Sequence, residues 1–220
     1  SKIKDNLINI KDDGSFQLDI SYFDFCTGLT MTNNKFHKLF GGPPKKPDSA
    51  LTQKQMDLAS SIQKVTEEVV IKMAKSIKSK SGLNNLCLAG GVALNSVVNG
   101  ILMRENIFKK IWIQPASGDA GGAIGAALLA YYVFSDNKRE PDEANDSMRG
   151  CYLGPKYNTT ESKAALKKLG AKFIELSDDE IIEHTANSIK EGKAIGWMDG
   201  RMEFGPRALG NRSIIADARS

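Results

Sequence analysis

The sequence has few cysteines and histidines and lacks any long apolar run. Its three cysteines are widely spaced and odd in number, so they indicate neither a disulfide framework nor a Cys-x-x-Cys metal site. His37 and His184 each lack a second histidine at metal-binding spacing. No apolar run reaches the roughly 18 residues of a membrane-spanning helix, and the polar start lacks the apolar centre of a signal peptide. We therefore expect a cytoplasmic protein with no membrane partner.

An excess of one charge is also absent. The 30 basic and 26 acidic residues give a formal charge of +4, which is too balanced to indicate nucleic acid as a partner. A Ser-His-Asp spacing and a glycine-flanked nucleophile are missing, so a hydrolase of those types is not indicated. With 220 residues, the chain is long enough for one large domain or parts of two. It begins without Met and stops at "IADARS", which predicts a piece of a longer protein.

Strand and helix patterns alternate along the chain and predict an α/β fold. The longest helix is predicted between Ser49 and Gly82, where apolar residues recur every three or four positions. Strand, glycine turn and helix then follow in "NNLCLAGGVALNSVVNGILM" and again in "KKIWIQPASGDAGGAIGAALLAYY". Repeated units of this kind predict strands buried on both faces, with Cys87 as a core residue.

A charged stretch at residues 135–149 has almost no apolar side chains and is predicted to be a linker. Beyond it, helices are predicted in "TESKAALKKLG" and "SDDEIIEHTANSIKEG", the second opened by a Ser-x-x-Glu capping box. Strands are predicted in "AKFIEL" and "KAIGWM". A second α/β part therefore begins after the linker.

The first glycine turn, "LAGGVALN", allows two interpretations. Gly90 and Gly91 lack a Cβ, so the backbone can turn sharply and approach a flat ligand. The helix that follows directs its free N–H groups to the same place, which favours nucleotide or phosphate binding. The alternative is a tight strand-to-helix turn that binds nothing.

The second turn, "PASGDAGGAIGAA", has several glycines around the acidic Asp119 at a helix start. Asp119 is either an N-cap residue or an oxygen ligand for a metal ion beside a phosphate pocket. Neither turn has the spacing of a Walker A or dinucleotide-binding motif, so those classes are not supported.

The segment "GWMDGRMEFGPRALGNRS" places Arg201, Arg207 and Arg212 among glycines and a proline. A guanidinium binds phosphate or carboxylate through two donors, and neighbouring glycines expose backbone N–H groups to the same anion. The segment is therefore predicted to be an irregular loop that holds a small anionic substrate. The alternative is that the three arginines are scattered surface charges or partners for Asp199, Glu203 and Asp217.

These three motifs, in this order and preceded by "LFGGPPKKPDSALTQKQMDLASSIQKVTEE", resemble the carbamoyltransferases of the nodulation and antibiotic-biosynthesis type. The similarity extends from about Ile20 to the end. It implies that residues 1–134 are the carboxyl-terminal part of an actin-like ATPase domain, which is ribonuclease H-like. Residues 150–220 would be the truncated start of a second, YrdC-like domain. In the family, carbamoyl phosphate and ATP give carbamoyladenylate, whose carbamoyl group passes to a hydroxyl of a sugar-containing or secondary-metabolite acceptor.

The resemblance also implies roles for particular residues. The nucleotide site would be lined by glycines of both turns and by two residues that follow the first turn. These residues are Gly90, Gly91, Val92, Asn95, Gly118, Gly121 and Gly122. Asp119 would complete a metal site for iron, with magnesium accompanying ATP. Arg207 and Arg212, together with Arg201, would bind carbamoyl phosphate or the ATP phosphates.

The chain departs from the family pattern in one respect. The family's metal site also uses a pair of histidines from an amino-terminal region, and the sequence has no such pair. We therefore predict that this chain is inactive by itself. Two alternatives stay open: a hydrogenase-maturation or tRNA-modifying relative, and a non-catalytic nucleotide-binding or interaction module with an actin-like core. The hydrogenase branch is marked by zinc-finger cysteines, which are missing here.

Overall fold

The computed structural model describes residues 1–142 and 144–219, which form a mixed α/β arrangement, as predicted. The helices in this part are α1 (Lys2–Asn6), α2 (Asn34–Leu39), α3 (Gln53–Ser81), α4 (Ser96–Arg104), α5 (Asp119–Leu129), α6 (Thr159–Lys168) and α7 (Asp178–Lys190). The strands are β1 (Ile8–Ile10), β2 (Phe16–Leu18), β3 (Asn85–Leu88), β4 (Lys110–Ile113), β5 (Ile195–Met198) and β6 (Arg212–Ile215). Glu143 of the predicted linker and Ser220 of the predicted second domain lie outside the described residues.

The chain divides into two compact units. The first comprises Ser1–Cys87 and Asn95–Trp112, and the second comprises Leu88–Leu94 with the described residues from 113 onward. The predicted domain ranges 1–134 and 150–220 stay a prediction, because compact units in one chain do not establish which parts fold independently.

The first unit has its core where α1, the β1–β2 hairpin and α3 meet. The strands of the hairpin are antiparallel, with Ile8 opposite Leu18. Buried apolar side chains from the helices and the following turn pack together beside them. These side chains are Ile3, Leu7, Tyr22 and Val65.

The long helix α3 has the ends that its sequence predicts. Thr52 caps its start in a capping box with Gln55, and Gly82 ends it in the left-handed region with a φ of 67°. Helix α4 packs against α3 and contributes Val98 and Leu102, two of the most completely buried side chains in the described chain. The end signals of α3 are therefore confirmed, whereas of its periodic apolar residues Val65 and Val69 are buried and Met56, Ile62, Met73 and Ile77 are exposed.

Strands β3 and β4 flank α4 in sequence and are hydrogen-bonded neighbours. The Lys109 amide bonds to the Asn84 carbonyl at one end, and the Gln114 amide bonds to the Leu88 carbonyl at the other. The residue numbers of the hydrogen-bonded partners increase in the same direction along both strands, so the strands are parallel. Burial alternates along β3, and Cys87 is exposed. The prediction of Cys87 as a core residue is wrong, because it lies on the strand face that the described residues leave uncovered.

The second unit contains α5, α6, α7 and the β5–β6 hairpin. Helices α6 and α7 both begin with capping boxes, and the predicted Ser177–Glu180 box is confirmed. Strand β5 pairs antiparallel with β6, with Met198 opposite Arg212. The predicted strand "AKFIEL" is wrong: residues 171–176 have no strand partner in the described chain, and Ile174 is exposed. None of the helices in residues 1–142 and 144–219 has the length and apolarity to cross a membrane.

Candidate functional site

The first glycine turn follows β3 and opens toward solvent. Gly90 has a φ of 94°, and its amide donates a 2.7 Å hydrogen bond to the Ser117 carbonyl of the second turn. A Cβ on Gly90 or Gly91 would have no atom within 4 Å, and Val92 is exposed. The two predicted glycine turns are therefore joined directly, and the space beside the first turn is open.

The second glycine turn forms the start of α5. Gly118 is the N-cap residue and has no side chain to cap the helix, while Asp119 is the first helical residue and is exposed. A Cβ on Gly121 would collide with the Ala116 carbonyl oxygen, so only glycine fits there. A Cβ on Gly122 would meet nothing within 4 Å. The Gly121 amide donates to the Gly118 carbonyl at 3.0 Å, and no side chain caps the helix start, which an anion site needs.

A buried hydroxyl adjoins this helix start. Ser117 is only 6% exposed, and its Oγ has no hydrogen-bond partner in the described chain. Buried polar atoms are nearly always paired, and an exception calls for a reason. This oxygen is shielded from solvent, so it does not face the open space beside the turn. The predicted phosphate site at this turn therefore depends on the backbone N–H groups at the start of α5, and it stays a prediction.

Asn95 belongs to the first unit and has a different environment. Its side-chain oxygen caps α4 by accepting from the Val98 amide, and its amide group donates to Gln63 Oε1 at 2.8 Å. Gln63 also donates to Asn95 Oδ1. Asn95 therefore holds α3 and α4 together through its side chain. Its predicted role in nucleotide binding stays a prediction.

The three predicted arginines occupy different environments in the second unit. Arg201 donates to the Gly154 carbonyl at 2.8 Å. Arg212 donates through one terminal nitrogen to the carbonyls of Gly205 and Arg207, at 2.9 and 3.1 Å. Arg207 is exposed, and its guanidinium makes no hydrogen bond or ion pair within residues 1–142 and 144–219. Of the three, Arg207 is best placed to bind an anion from solution.

Glu203 was predicted only as a possible carboxylate partner of the arginines. Its side chain is completely buried and bonds to Arg212 Nε at 3.2 Å. Burial alone would raise the pKa of Glu203, but backbone N–H groups of Glu203, Leu209 and Asn211 and the Arg212 side chain outweigh it and lower the pKa to about 2. Glu203 is therefore an ionised carboxylate inside the arginine segment.

Residues 151–154 are hydrogen-bonded to the first half of the arginine segment. The Phe204 amide bonds to the Cys151 carbonyl at 2.7 Å, and the Gly154 amide bonds to the Met202 carbonyl at 2.9 Å. Cys151 is fully buried and has a φ of 77°, which costs a non-glycine residue strain energy. Burial, and then the Glu203 charge, raise the pKa of the Cys151 thiol. The thiol is therefore protonated and serves packing.

The arginine segment also touches the second glycine turn. Gly205 has a φ of 136°, and a Cβ placed there would lie 2.8 Å from the Pro115 carbonyl oxygen and 3.3 Å from the Ala116 Cα. The backbones of the two segments are therefore in close contact. Since Gly90 bonds to Ser117, all three motifs are joined within the second unit.

The predicted metal site is incomplete in the part of the chain that the structure describes. Within residues 1–142 and 144–219, no three His, Cys, Asp or Glu side chains are grouped to hold a metal ion. Asp119 alone offers one carboxylate, so the residues present do not form a metal centre by themselves. No chemical step is assigned to a metal here, and the role of Asp119 stays a prediction.

Comparison with known proteins gives two family matches, one for each part of the chain that carries these motifs. The family described as "Carbamoyltransferase N-terminus" matches residues 1–128, and "Carbamoyltransferase C-terminus" matches residues 186–220. The chain belongs to the carbamoyltransferase family. The glycine turns lie in the first match and the arginine segment in the second. The predicted resemblance is therefore confirmed.

Several relatives of this carbamoyltransferase chain are much longer. "Uncharacterized protein sll1178" of Synechocystis is 52% identical over 99% of this chain and 36% of its own length. "Nodulation protein NolNO" of Sinorhizobium fredii is 38% identical over 76% of this chain and 24% of its own length. "Nodulation protein U" of Rhizobium tropici is 32% identical over 67% of this chain and 23% of its own length. The chain thus spans about a quarter to a third of these relatives.

Proposed function

We propose that the protein containing this chain is an ATP-dependent O-carbamoyltransferase. Carbamoyl phosphate, ATP and water would give carbamoyladenylate, pyrophosphate and inorganic phosphate, and an acceptor hydroxyl would then take the carbamoyl group and displace AMP. The proposed acceptor is sugar-containing or a secondary metabolite, and this part of the proposal depends on the resemblance to the family. The family membership supports the proposal, and the contact between the glycine turn and the arginine segment is the observation that carries it.

The proposal assigns the two segments separate tasks in this reaction. The start of α5 would offer backbone N–H groups to a phosphate, because no side chain caps it. Arg207 offers an exposed guanidinium on the segment that touches this turn through Gly205. A fixed positive charge near a transferring group stabilises the negative charge that develops there. Arg207 would therefore bind carbamoyl phosphate or the phosphates of ATP.

The proposal extends to the fold. Residues 1–134 would complete an actin-like domain that binds ATP, residues 135–149 would be a linker, and residues 150–220 would begin a YrdC-like domain. Strands β3 and β4 are parallel neighbours, and α4 connects them in sequence. This arrangement is consistent with part of an actin-like sheet.

The test is pyrophosphate release by the full-length protein with and without carbamoyl phosphate. The wild type is expected to release pyrophosphate only when carbamoyl phosphate is present. Arg207→Ala is expected to lower kcat/KM for carbamoyl phosphate roughly 100-fold, the range seen when one charge-stabilising group is removed.

The matched control is Arg139→Ala, which removes an exposed arginine from the predicted linker and should leave turnover unchanged. A wild type that ignores carbamoyl phosphate would contradict the proposal and favour a non-catalytic nucleotide-binding module. Equal losses in the two variants would contradict the role of Arg207.

A further inference from the structure

Glu203 is an acidic residue in the middle of the segment that is proposed to bind an anion. Its Oε1 accepts from the Leu209 and Asn211 amides at 2.7 and 2.8 Å, and its Oε2 accepts from Arg212 Nε at 3.2 Å. A buried charge is tolerated only when it is paired and hydrogen-bonded, and both oxygens meet that condition here. Its negative charge is therefore shielded from any anion at the surface.

These bonds fix the shape of the loop that carries Arg207. The two amides bound by Glu203 lie on either side of Gly210, so the carboxylate closes residues 203–211 into a loop. Arg212, bound to the same carboxylate, also holds the Arg207 carbonyl. The backbone of Arg207 is thus fixed through Arg212, while its guanidinium stays exposed.

We propose that Glu203 is a positioning residue that holds the loop so that Arg207 faces the anionic substrate, with Arg212 as its structural partner. The inference rests on the proposed function, because it assigns a support to the arginine of that same site. Glu203 does not touch the substrate, since its side chain is completely buried beneath the loop. The two arginines of "PRALGNR" therefore divide the work: one binds and the other holds the loop.

The first test is hydrogen exchange in the full-length protein. Glu203→Ala removes both acceptor oxygens, so amide exchange in peptides covering residues 206–212 is expected to rise at least roughly tenfold. Glu203→Gln retains one oxygen for the two amides and should raise exchange less. The control Glu68→Gln removes a carboxylate bound by Lys4 in the first unit and should leave these peptides unchanged. Unchanged exchange in both Glu203 variants would overturn the inference.

The second test is a double-mutant cycle on the KM for carbamoyl phosphate. Glu203→Ala is expected to raise this KM roughly tenfold or more, and to add little in an Arg207→Ala background, because the group it positions is then absent. Independent, multiplying effects would show that Glu203 affects this KM by a route other than Arg207, and would overturn the inference. If Glu203→Ala does not fold, Glu203→Gln takes its place in the same cycle with a smaller expected effect.

A binding measurement separates this inference from the proposed function. If the wild type shows no carbamoyl-phosphate-dependent turnover, the proposed function fails. Calorimetry with carbamoyl phosphate and with inorganic phosphate then decides the role of Glu203. Weaker binding in both Arg207→Ala and Glu203→Ala would support it. Binding that Glu203→Ala leaves unchanged, or no binding by the wild type, would overturn it.

Discussion

Three arginines with similar sequence surroundings have different roles in the structure. Arg201 and Arg212 donate to backbone carbonyls, whereas Arg207 is exposed. Composition predicted an anion site in this segment but could not distinguish the three arginines, because their contacts depend on where the Gly154 carbonyl and the Glu203 carboxylate lie. An acidic residue among the arginines was the one available signal for Glu203.

The low pKa of Glu203 predicts a pH dependence. Its ordinary value of 4.5 falls to about 2 in the folded chain, so its ionised form stabilises the fold. That contribution is complete above about pH 4.5 and is lost as the pH falls toward 2. The Tm difference between wild type and Glu203→Gln should therefore shrink between about pH 6 and about pH 3. Thermal unfolding of both proteins across this pH range tests the prediction, and a Tm difference that stays constant would contradict it.

At the scale of elements, the sequence predicted best where the signals are local. Helices α3 and α7 were predicted because apolar spacing and capping residues lie within the helix itself. The strand in "AKFIEL" was wrong because a strand needs a partner, and the alternation of side chains does not provide one. Arg212 was predicted in an irregular loop but begins β6, because its pairing with Met198 is formed across the hairpin.

The contact between the arginine segment and the second glycine turn predicts a specific effect of Gly205→Ala. The new Cβ would lie 2.8 Å from the Pro115 carbonyl oxygen in a backbone conformation that suits glycine. We expect the substitution to lower the free energy of unfolding by about 2 kcal/mol or more and to raise the KM for carbamoyl phosphate. Thermal unfolding and steady-state kinetics of the full-length protein measure both.

The matched control is Gly192→Ala. Gly192 has a φ of 81°, but its Cβ would have no atom within 4 Å, so only the backbone penalty of about 1 kcal/mol applies. The KM for carbamoyl phosphate should not change in this variant. Equal effects of the two substitutions would show that the contact at Gly205 has no special importance.

At the scale of the whole molecule, the candidate site draws on both matched parts of the carbamoyltransferase family. Residues 1–128 supply the glycine turns and residues 186–220 supply the arginine segment, and these segments meet in one compact unit. Sequence order alone placed them in separate predicted domains. The join depends on contacts at Gly90 and Gly205 between segments far apart in the chain, which no local pattern reveals.

The central claim is that carbamoyl phosphate and ATP react to form carbamoyladenylate. The most direct test is the exchange of labelled pyrophosphate into ATP by the full-length protein, measured without any acceptor. We predict exchange only when carbamoyl phosphate is present, and a large reduction in the Arg207→Ala variant. Exchange that does not depend on carbamoyl phosphate, or ATP consumption that yields ADP with no exchange, would contradict the account.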